Sequence, residues 1–393
     1  MTMNPHTLKP ETDKRLGIVR PTFAPFEILA PRFKSSMDSG VVTNGGPQLK
    51  TFEARLSDYL SVPTLAFCNG EQALIALLMA ADLKGKEVIV PSFTFVGSVH
   101  AIVIAGAIPV FAEIQSLDCP LADLSDIERK ITENTGAILA VDVYGYANDY
   151  KSLEKLAKQN GLRLFIDSAP AFGSLYQGQR IGGFGDGQIF SFHATKPFNT
   201  LEGGCVCTND TELMSRVAAI RNFGQSDQGE CLYVGLNGKM SEINAIVGLA
   251  QLPSLELQLK CRRQAAARLI QGLEGIPGLN VCQPTGEQEP VWQYLPVRVD
   301  PEHYGMNRDE LQHTMATANV MVRKYYSPAC HLMPAYASPL QTDLKLTEEL
   351  ACSVLALPIY NDMSEAECDR IVALLYTLYL SGLPVVAHQG VAS

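Results

Sequence analysis

The stretch RLFIDSAPAFGSLYQGQRIGGFGDGQIFSFHATKPFNTLEGGCVCT, residues 163–208, decides the fold. It contains three short apolar runs separated by turn-rich segments: RLFIDSA (163–169), QIFSF (188–192) and GCVCT (204–208). The same pattern recurs upstream, with helical stretches in between, in TLAFC (64–68), EVIVPSF (87–93), PVFAEI (109–114) and AILAVDVYG (137–145). Near-continuous apolar strands that alternate with helices indicate a sheet covered on both faces. We therefore predict an α/β fold with a mostly parallel, seven-stranded sheet.

The chain changes character on both sides of this repeating part. Residues 1–50 are rich in loop signals, including the turn cluster TNGGP at 43–47. After about residue 255, a charged helical segment and further strand-like pieces suggest a second α/β unit. We predict an N-terminal segment (1–50), a large cofactor-binding domain (51–255), a small C-terminal domain (256–383) and a frayed tail (384–393).

Composition excludes several classes of protein. The 393 residues are 47% hydrophobic and 18% charged, as expected for a soluble globular protein with a large buried core. A net charge of −10 argues against a nucleic-acid surface. The longest apolar stretch, 96–112, is broken by His100, Gly106 and Pro109, so we expect a helix and a buried strand rather than a membrane span. The ten cysteines lack zinc-ligand spacing, which indicates reduced thiols, a cytoplasmic location and no metal site.

In a parallel sheet, ligands bind beyond the carboxyl ends of the strands, so the residues that follow each run are candidates for the functional site. Lys196 follows the run at 188–192; it could be an ordinary solvated lysine or the site of a Schiff base with an aldehyde cofactor. Asp167 follows the apolar residues at the start of the run at 163–169; it could cap a helix or pair with a protonated pyridine nitrogen. At this point the residues alone leave both alternatives open.

Three other positions carry weaker signals. The segment from Asn69 onwards starts a helix after a strand, which is either an ordinary turn or an anion site made of free backbone amides. Glu71 suits the helix dipole there but would repel a phosphate unless its side chain points away. Phe95 and Ser191 are each more typical of a core residue than of a ligand contact, although both lie at strand ends.

Together these motifs resemble a known family. NGEQAL, PSFTFVGS, FIDSAPAFG and SFHATKPFNTLEGG, followed by RNFG (221–224), LNGKMSEINAIVGLAQL (236–252) and VRKYYSPACHLMPAY (322–336), are similar to the DegT/DnrJ/EryC1/StrS sugar aminotransferases. The resemblance runs from about residue 43 to about residue 360. It implies a pyridoxal-phosphate enzyme of the aspartate aminotransferase fold type and a homodimer with active sites at the interface.

The resemblance also implies a role for individual residues. Lys196 would bind the cofactor covalently and move protons, Asp167 would keep the pyridine nitrogen protonated, and His193 would touch the sugar or assist proton transfer unless it is a core histidine. The phosphate would be held by Ser191 and by the backbone of Gly70, Glu71 and Gln72, with Asn237 reaching it from the partner subunit. Phe95 would stack on the ring, and the segment from Tyr325 to His331, including Tyr326, would contact the substrate.

The chain departs from the family pattern at a few positions. Pro170 stands where a Gln or His usually contacts the ring hydroxyl of the cofactor, and Glu71 stands where Thr is usual. Asp142 and Ile166 also differ from the commonest residues. Because Lys196 and Asp167 are present, the essential chemistry is expected to be intact.

The resemblance is strongest to enzymes that make dTDP-4-amino-4,6-dideoxyglucose. It implies transfer of an amino group from L-glutamate to the C4 keto group of a nucleotide-linked 4-keto-6-deoxy sugar. The alternatives are amination at C3 and a UDP- or GDP-linked substrate. A sugar dehydratase of this fold would carry His in place of Lys196, a non-catalytic relative would have lost Lys196 or Asp167, and an amino-acid aminotransferase would normally show a pair of arginines.

Overall fold

The computed structural model describes residues 14–226, 228–336 and 343–382. Within these ranges the helices are α1 Phe26–Ser39, α2 Pro47–Leu60, α3 Gly70–Ala80, α4 Val96–Ile104, α5 Leu124–Arg129, α6 Tyr150–Gln159, α7 Thr211–Arg221, α8 Glu242–Gln251, α9 Leu255–Leu273, α10 Pro301–Tyr304, α11 Arg308–Thr317, α12 Lys345–Ser353 and α13 Glu365–Gly382. The strands are β1 Thr64–Phe67, β2 Glu87–Pro91, β3 Ile108–Ala112, β4 Thr135–Val141, β5 Arg163–Asp167, β6 Leu175–Tyr176, β7 Gln179–Arg180, β8 Gly187–Ser191, β9 Gly204–Cys207, β10 Leu279–Val281, β11 Gln288–Glu289, β12 Leu295–Val299 and β13 Val354–Leu357.

A seven-stranded sheet in the order β1-β9-β8-β5-β4-β2-β3 forms the centre of the molecule. Each of the seven apolar runs supplies one strand, which confirms the predicted α/β class and strand count. Strands β3, β2, β4, β5 and β8 are parallel, whereas β9 pairs antiparallel with both β8 and β1. Apolar side chains fill the core on both faces of the sheet, which is why the strands read as continuous apolar runs.

Two local features differ from the sequence prediction. Strand β3 lies at an edge of the sheet and is only partly buried, with Ile108 52% exposed, whereas a buried strand was predicted. The N-terminal segment contains α1, where loops were expected. Leu29 and Phe33 of this helix pack on Ile246 and Val247 of α8, so tertiary contacts stabilise a helix whose other side chains are mostly exposed.

The chain after α8 forms further helices and a second, smaller sheet. Helix α9 begins at Leu255, close to the predicted change of character, and β10, β12 and β13 form a separate antiparallel sheet. The predicted domain boundaries remain a prediction, and the tail at 384–393 lies outside the described residues. In the described part of the chain, no helix is long and apolar enough to cross a membrane.

Candidate active site

A cleft of about 480 Å³ opens at the carboxyl ends of the parallel strands. It is bordered by the start of α3, the start of α4, the end of β5 and the loop after β8, and by residues of the later part of the chain. The predicted site residues that line it are Gly70, Glu71, Phe95, Asp167, Ser191, His193, Lys196, Tyr325 and Tyr326. The fold therefore brings these distant segments to one place, as expected for an α/β sheet.

Lys196 lies in the loop between β8 and β9, and its ammonium group reaches the cleft. Its backbone amide donates to the carbonyl of His193 at 2.9 Å, which fixes a tight turn before Pro197. The Nζ atom donates to Gln293 Oε1 at 3.2 Å. Burial lowers the pKa of Lys196 to about 8, against the opposing attraction of the Asp167 carboxylate. This shift increases the neutral fraction of Lys196 near neutral pH, and a lysine needs the neutral form in order to attack an aldehyde.

Asp167 is the last residue of β5 and is 6% exposed. Its Oδ2 accepts a hydrogen bond from Ser98 Oγ at 2.6 Å, and its Oδ1 accepts one from the Ala169 amide at 3.0 Å. Burial is the main influence on its pKa, which is raised. No helix follows until Thr211, so the alternative of a helix cap is wrong. A buried carboxylate of this kind favours a cationic partner, since an unpaired charge is costly to bury.

The start of α3 provides an anion cradle. The backbone amides of Gly70 and Glu71 donate to no acceptor in the described part of the chain. A Cβ atom at Gly70 would lie 2.8 Å from Ser191 Cβ, so only glycine allows α3 to approach the end of β8 so closely. The amide of Gln72 is already taken, because it donates to the Asn69 side chain at 2.8 Å. We therefore correct the predicted phosphate contact of Gln72 and leave Gly70, Glu71 and Ser191.

Phe95 immediately precedes α4 and is 61% exposed, so a place in the core is excluded. Gly97 leaves room for its ring, since a Cβ atom there would lie 3.2 Å from a ring carbon. An exposed phenyl ring at the edge of a cleft suits stacking on a flat aromatic ligand. This position fits the predicted role of Phe95.

His193 and Glu202 stand together in the loop after β8. His193 Nε2 lies 3.5 Å from Glu202 Oε1, and its Nδ1 lies 2.8 Å from Thr195 Oγ1. His193 is partly exposed to the cleft, so the alternative of a core histidine does not hold. A contact with the substrate or a part in proton transfer stays a prediction.

His331 and Asn237 do not line this cleft. His331 is 1% exposed, and its ring is held between Ser92 Oγ, 2.6 Å from Nδ1, and Glu348 Oε1, 3.2 Å from Nε2. The predicted contact of His331 with substrate is therefore corrected to a packing role. Asn237 forms an isolated bridge with Asn222, and its carbonyl oxygen lies 4.0 Å from Cys68 Sγ. Its predicted reach to a partner subunit stays a prediction.

The sequence analysis missed two polar residues of the site. Ser98 donates a hydrogen bond to the Asp167 carboxylate. In the sequence, its position one helical turn after Phe95 could have indicated that it faces the same site. Gln293 holds Lys196 and is 2% exposed, and its signal was a lone amide within the apolar run VWQYLPV. Arg262 holds the backbone at Gln293 in turn, because its Nη2 donates to the main-chain carbonyl of Gln293 at 2.7 Å.

Comparison with known proteins finds similar sequences and similar solved structures. The profile of the DegT/DnrJ/EryC1/StrS aminotransferase family matches residues 27–376. The chain is 32% identical to the dTDP-4-amino-4,6-dideoxy-D-glucose transaminase of Shigella dysenteriae, over 92% of this chain and 99% of that protein. It is also 32% identical to the dTDP-3-amino-3,6-dideoxy-alpha-D-galactopyranose transaminase of Aneurinibacillus thermoaerophilus, over 86% and 91%. Among solved structures, DesI in the presence of its TDP-sugar product superposes with a TM-score of 0.89 and 35% identity, each chain covered to 94%.

Proposed function

This chain belongs to the DegT/DnrJ/EryC1/StrS family and is a pyridoxal-phosphate-dependent aminotransferase of nucleotide sugars; from that premise we propose its reaction in detail. It transfers the amino group of L-glutamate to the C4 keto group of dTDP-4-keto-6-deoxyglucose and yields dTDP-4-amino-4,6-dideoxyglucose. The observation that carries this proposal is the similarity to the Shigella dysenteriae transaminase over nearly the full length of both proteins.

The residues of the cleft fit the cofactor. The free amides of Gly70 and Glu71 and the Ser191 hydroxyl form a cradle for a phosphate, and a side chain at position 70 would fill it. Asp167 supplies a buried acceptor for a protonated ring nitrogen, and Phe95 supplies a face for the ring. When bound, pyridoxal phosphate supplies an electron-accepting ring that stabilises negative charge on the carbon next to the transferred nitrogen.

Each side chain then has a separate task. Lys196 would hold the aldehyde end of the cofactor through Nζ, and as a neutral amine it would act as the base that moves a proton at the reacting carbon. Asp167 would keep the ring nitrogen protonated, because a carboxylate buried at the end of β5 is stabilised by a cationic partner. Gln293 orients Nζ, and Ser98 orients the Asp167 carboxylate.

The carbon that receives nitrogen is the most specific part of the proposal. The product formed from dTDP-4-keto-6-deoxyglucose and L-glutamate is expected to carry nitrogen on C4, and NMR of that product checks it. The relative from Aneurinibacillus thermoaerophilus is named for a 3-amino sugar, so C3 is the second candidate. Nitrogen on C3, or turnover only with UDP- or GDP-linked sugars, would contradict the specific substrate and leave the aminotransferase assignment intact.

We also propose that the active unit is a homodimer with shared sites. The described residues that line the cleft include the carboxylates of Glu71, Asp167 and Glu202 but only one lysine, Lys196, a poor match for an anionic nucleotide sugar. Asn237 and Lys239 lie beside exposed apolar side chains: Lys239 Nζ is 4.2 Å from the centroid of the Phe223 ring, and Phe223 and Val234 are 50% and 82% exposed. Docking of this apolar surface on a second copy would bury it and bring Asn237 and Lys239 to the other cleft.

Subunit mixing tests the shared site. Lys196→Ala and Asn237→Ala variants are each expected to be impaired alone, because every site lacks one of the two groups. After they are unfolded and refolded together, random pairing should restore about one quarter of the native activity, since half the dimers then hold one intact site. Sedimentation should show a dimer. A fully active monomer, or mixing without any recovery, would contradict the shared site.

The cysteines support a reducing location. All ten are free thiols, including Cys205 and Cys207, whose Sγ atoms lie 3.9 Å apart without a bond. Because free thiols persist where disulfides do not form, we propose that the enzyme works in the cytoplasm.

A further inference from the structure

The proposed phosphate cradle contains a carboxylate, which is unfavourable for binding an anion. Glu71 lines the cleft together with Gly70, and its own backbone amide belongs to the cradle. A carboxylate free to turn towards these amides would compete with the phosphate or repel it. The structure must therefore hold the Glu71 side chain elsewhere.

The Glu71 carboxylate lies against helix α4. Its Oε1 lies 3.6 Å from His100 Nδ1. The same oxygen lies beside the first turn of this helix, within 3.7 Å of where a Cβ atom at Gly97 would be. Helix α4 has no side-chain cap, so the carboxylate also meets the positive end of its dipole.

His100 is itself held in place. Its ring packs on Tyr336 with ring centroids 5.8 Å apart, and Tyr336 packs in turn on Phe111 of β3. The imidazole therefore approaches Glu71 from a supported position, although both side chains are nearly half exposed, at 42% and 47%. An ion pair of this exposure is weak, so its effect is expected to be a few-fold rather than a large one.

We propose that His100 is a positioning residue that holds the Glu71 carboxylate against the start of α4 and so keeps the cradle free for the cofactor's phosphate. The inference rests on the proposed cofactor site and concerns the affinity of that site for its phosphate. It also explains how a chain with an acid at position 71 still binds an anion there.

The test is cofactor affinity measured without turnover. Trp292 is the only tryptophan, and it is adjacent to Gln293 of the cleft, so quenching of its fluorescence reports binding to the cofactor-free protein. His100→Ala is expected to weaken pyridoxal phosphate binding about fivefold, and His100→Gln less, because a glutamine amide can donate to the Glu71 carboxylate. Glu71→Gln should bind at least as tightly as the native protein.

Combining the substitutions at His100 and Glu71 tests whether His100 acts through Glu71. If His100 acts through Glu71, Glu71→Gln with His100→Ala should bind as tightly as Glu71→Gln alone. Pyridoxal, which lacks the phosphate, should bind all variants equally. His303→Ala is the matched control, since His303 is an exposed histidine 2.7 Å from Asp300 and does not line the cleft.

The outcomes separate this inference from the proposed function. Unchanged affinity in His100→Ala, a double variant as weak as His100→Ala, or an equal effect on pyridoxal would each overturn the role of His100. A native protein that does not bind pyridoxal phosphate would overturn the cofactor site itself, and the positioning role with it. Melting temperatures near the native value show that each variant is folded.

Discussion

Replacement of Lys196 by Ala is expected to remove the visible absorbance of the covalently bound cofactor and to lower turnover by about 10⁴-fold or more. Lys196 supplies both the amine that bonds to the aldehyde carbon and the base that moves the proton. Its pKa of about 8 fits both tasks, because the neutral form is available near neutral pH. Gln293, the side chain that contacts Nζ, has an amide that can do neither.

The variant should still fold, since it removes a partly buried charge rather than a core side chain. Circular dichroism and a melting curve check this, and Lys155→Ala on the exposed face of α6 is the matched control. Absorbance and turnover in Lys155→Ala should equal those of the native protein. Turnover retained in Lys196→Ala would show that another residue anchors the cofactor.

Replacement of Asp167 by Asn is expected to leave the cofactor bound but to lower kcat by about 10²- to 10³-fold. The amide keeps the size of the side chain and can still accept from Ser98, whose Oγ lies 2.6 Å from Oδ2. What is lost is the negative charge that keeps the ring nitrogen protonated and the ring an electron acceptor. Absorbance spectra and glutamate-dependent kcat measure the two effects separately.

Asp123→Asn gives the comparison for an aspartate with a purely structural role. Asp123 caps α5, where its side chain accepts from the Ser125 amide at 2.9 Å, and its replacement should leave kcat unchanged. If Asp167→Asn behaved in the same way, Asp167 would be only a structural acceptor for Ser98 Oγ and the Ala169 amide. Its burial beside Lys196 would then have no catalytic meaning.

Much of the large sheet could be predicted from sequence, because a strand buried on both faces must be apolar throughout. The seven runs between residues 64 and 208 each became a strand. The antiparallel direction of β9 was not readable, since GCVCT is as apolar as the parallel strands. Helix α1 was missed because few of its side chains are buried, so its pattern lacks an apolar stripe.

Some residues of the site could likewise be predicted from the sequence, and others could not. Lys196 and Asp167 could be predicted because Asp167 ends β5 and Lys196 lies in the loop after β8, and ligands bind at the carboxyl ends of parallel strands. Gln293 was missed because an amide within an apolar run carries no such signal, and its contact with Lys196 spans 97 positions of the chain. His331 was misassigned because its buried partners, Ser92 and Glu348, lie on separate segments and could not be paired from sequence.

The transfer of nitrogen itself tests the central claim most directly. The native protein, loaded with pyridoxal phosphate, is mixed with ¹⁵N-labelled L-glutamate and dTDP-4-keto-6-deoxyglucose, and the sugar product is examined by mass spectrometry and NMR. We predict one ¹⁵N atom in each sugar product, one 2-oxoglutarate formed for each glutamate consumed, and neither product with Lys196→Ala. Loss of a sugar hydroxyl without incorporation of ¹⁵N, or no reaction with any nucleotide-linked keto sugar, would contradict the account.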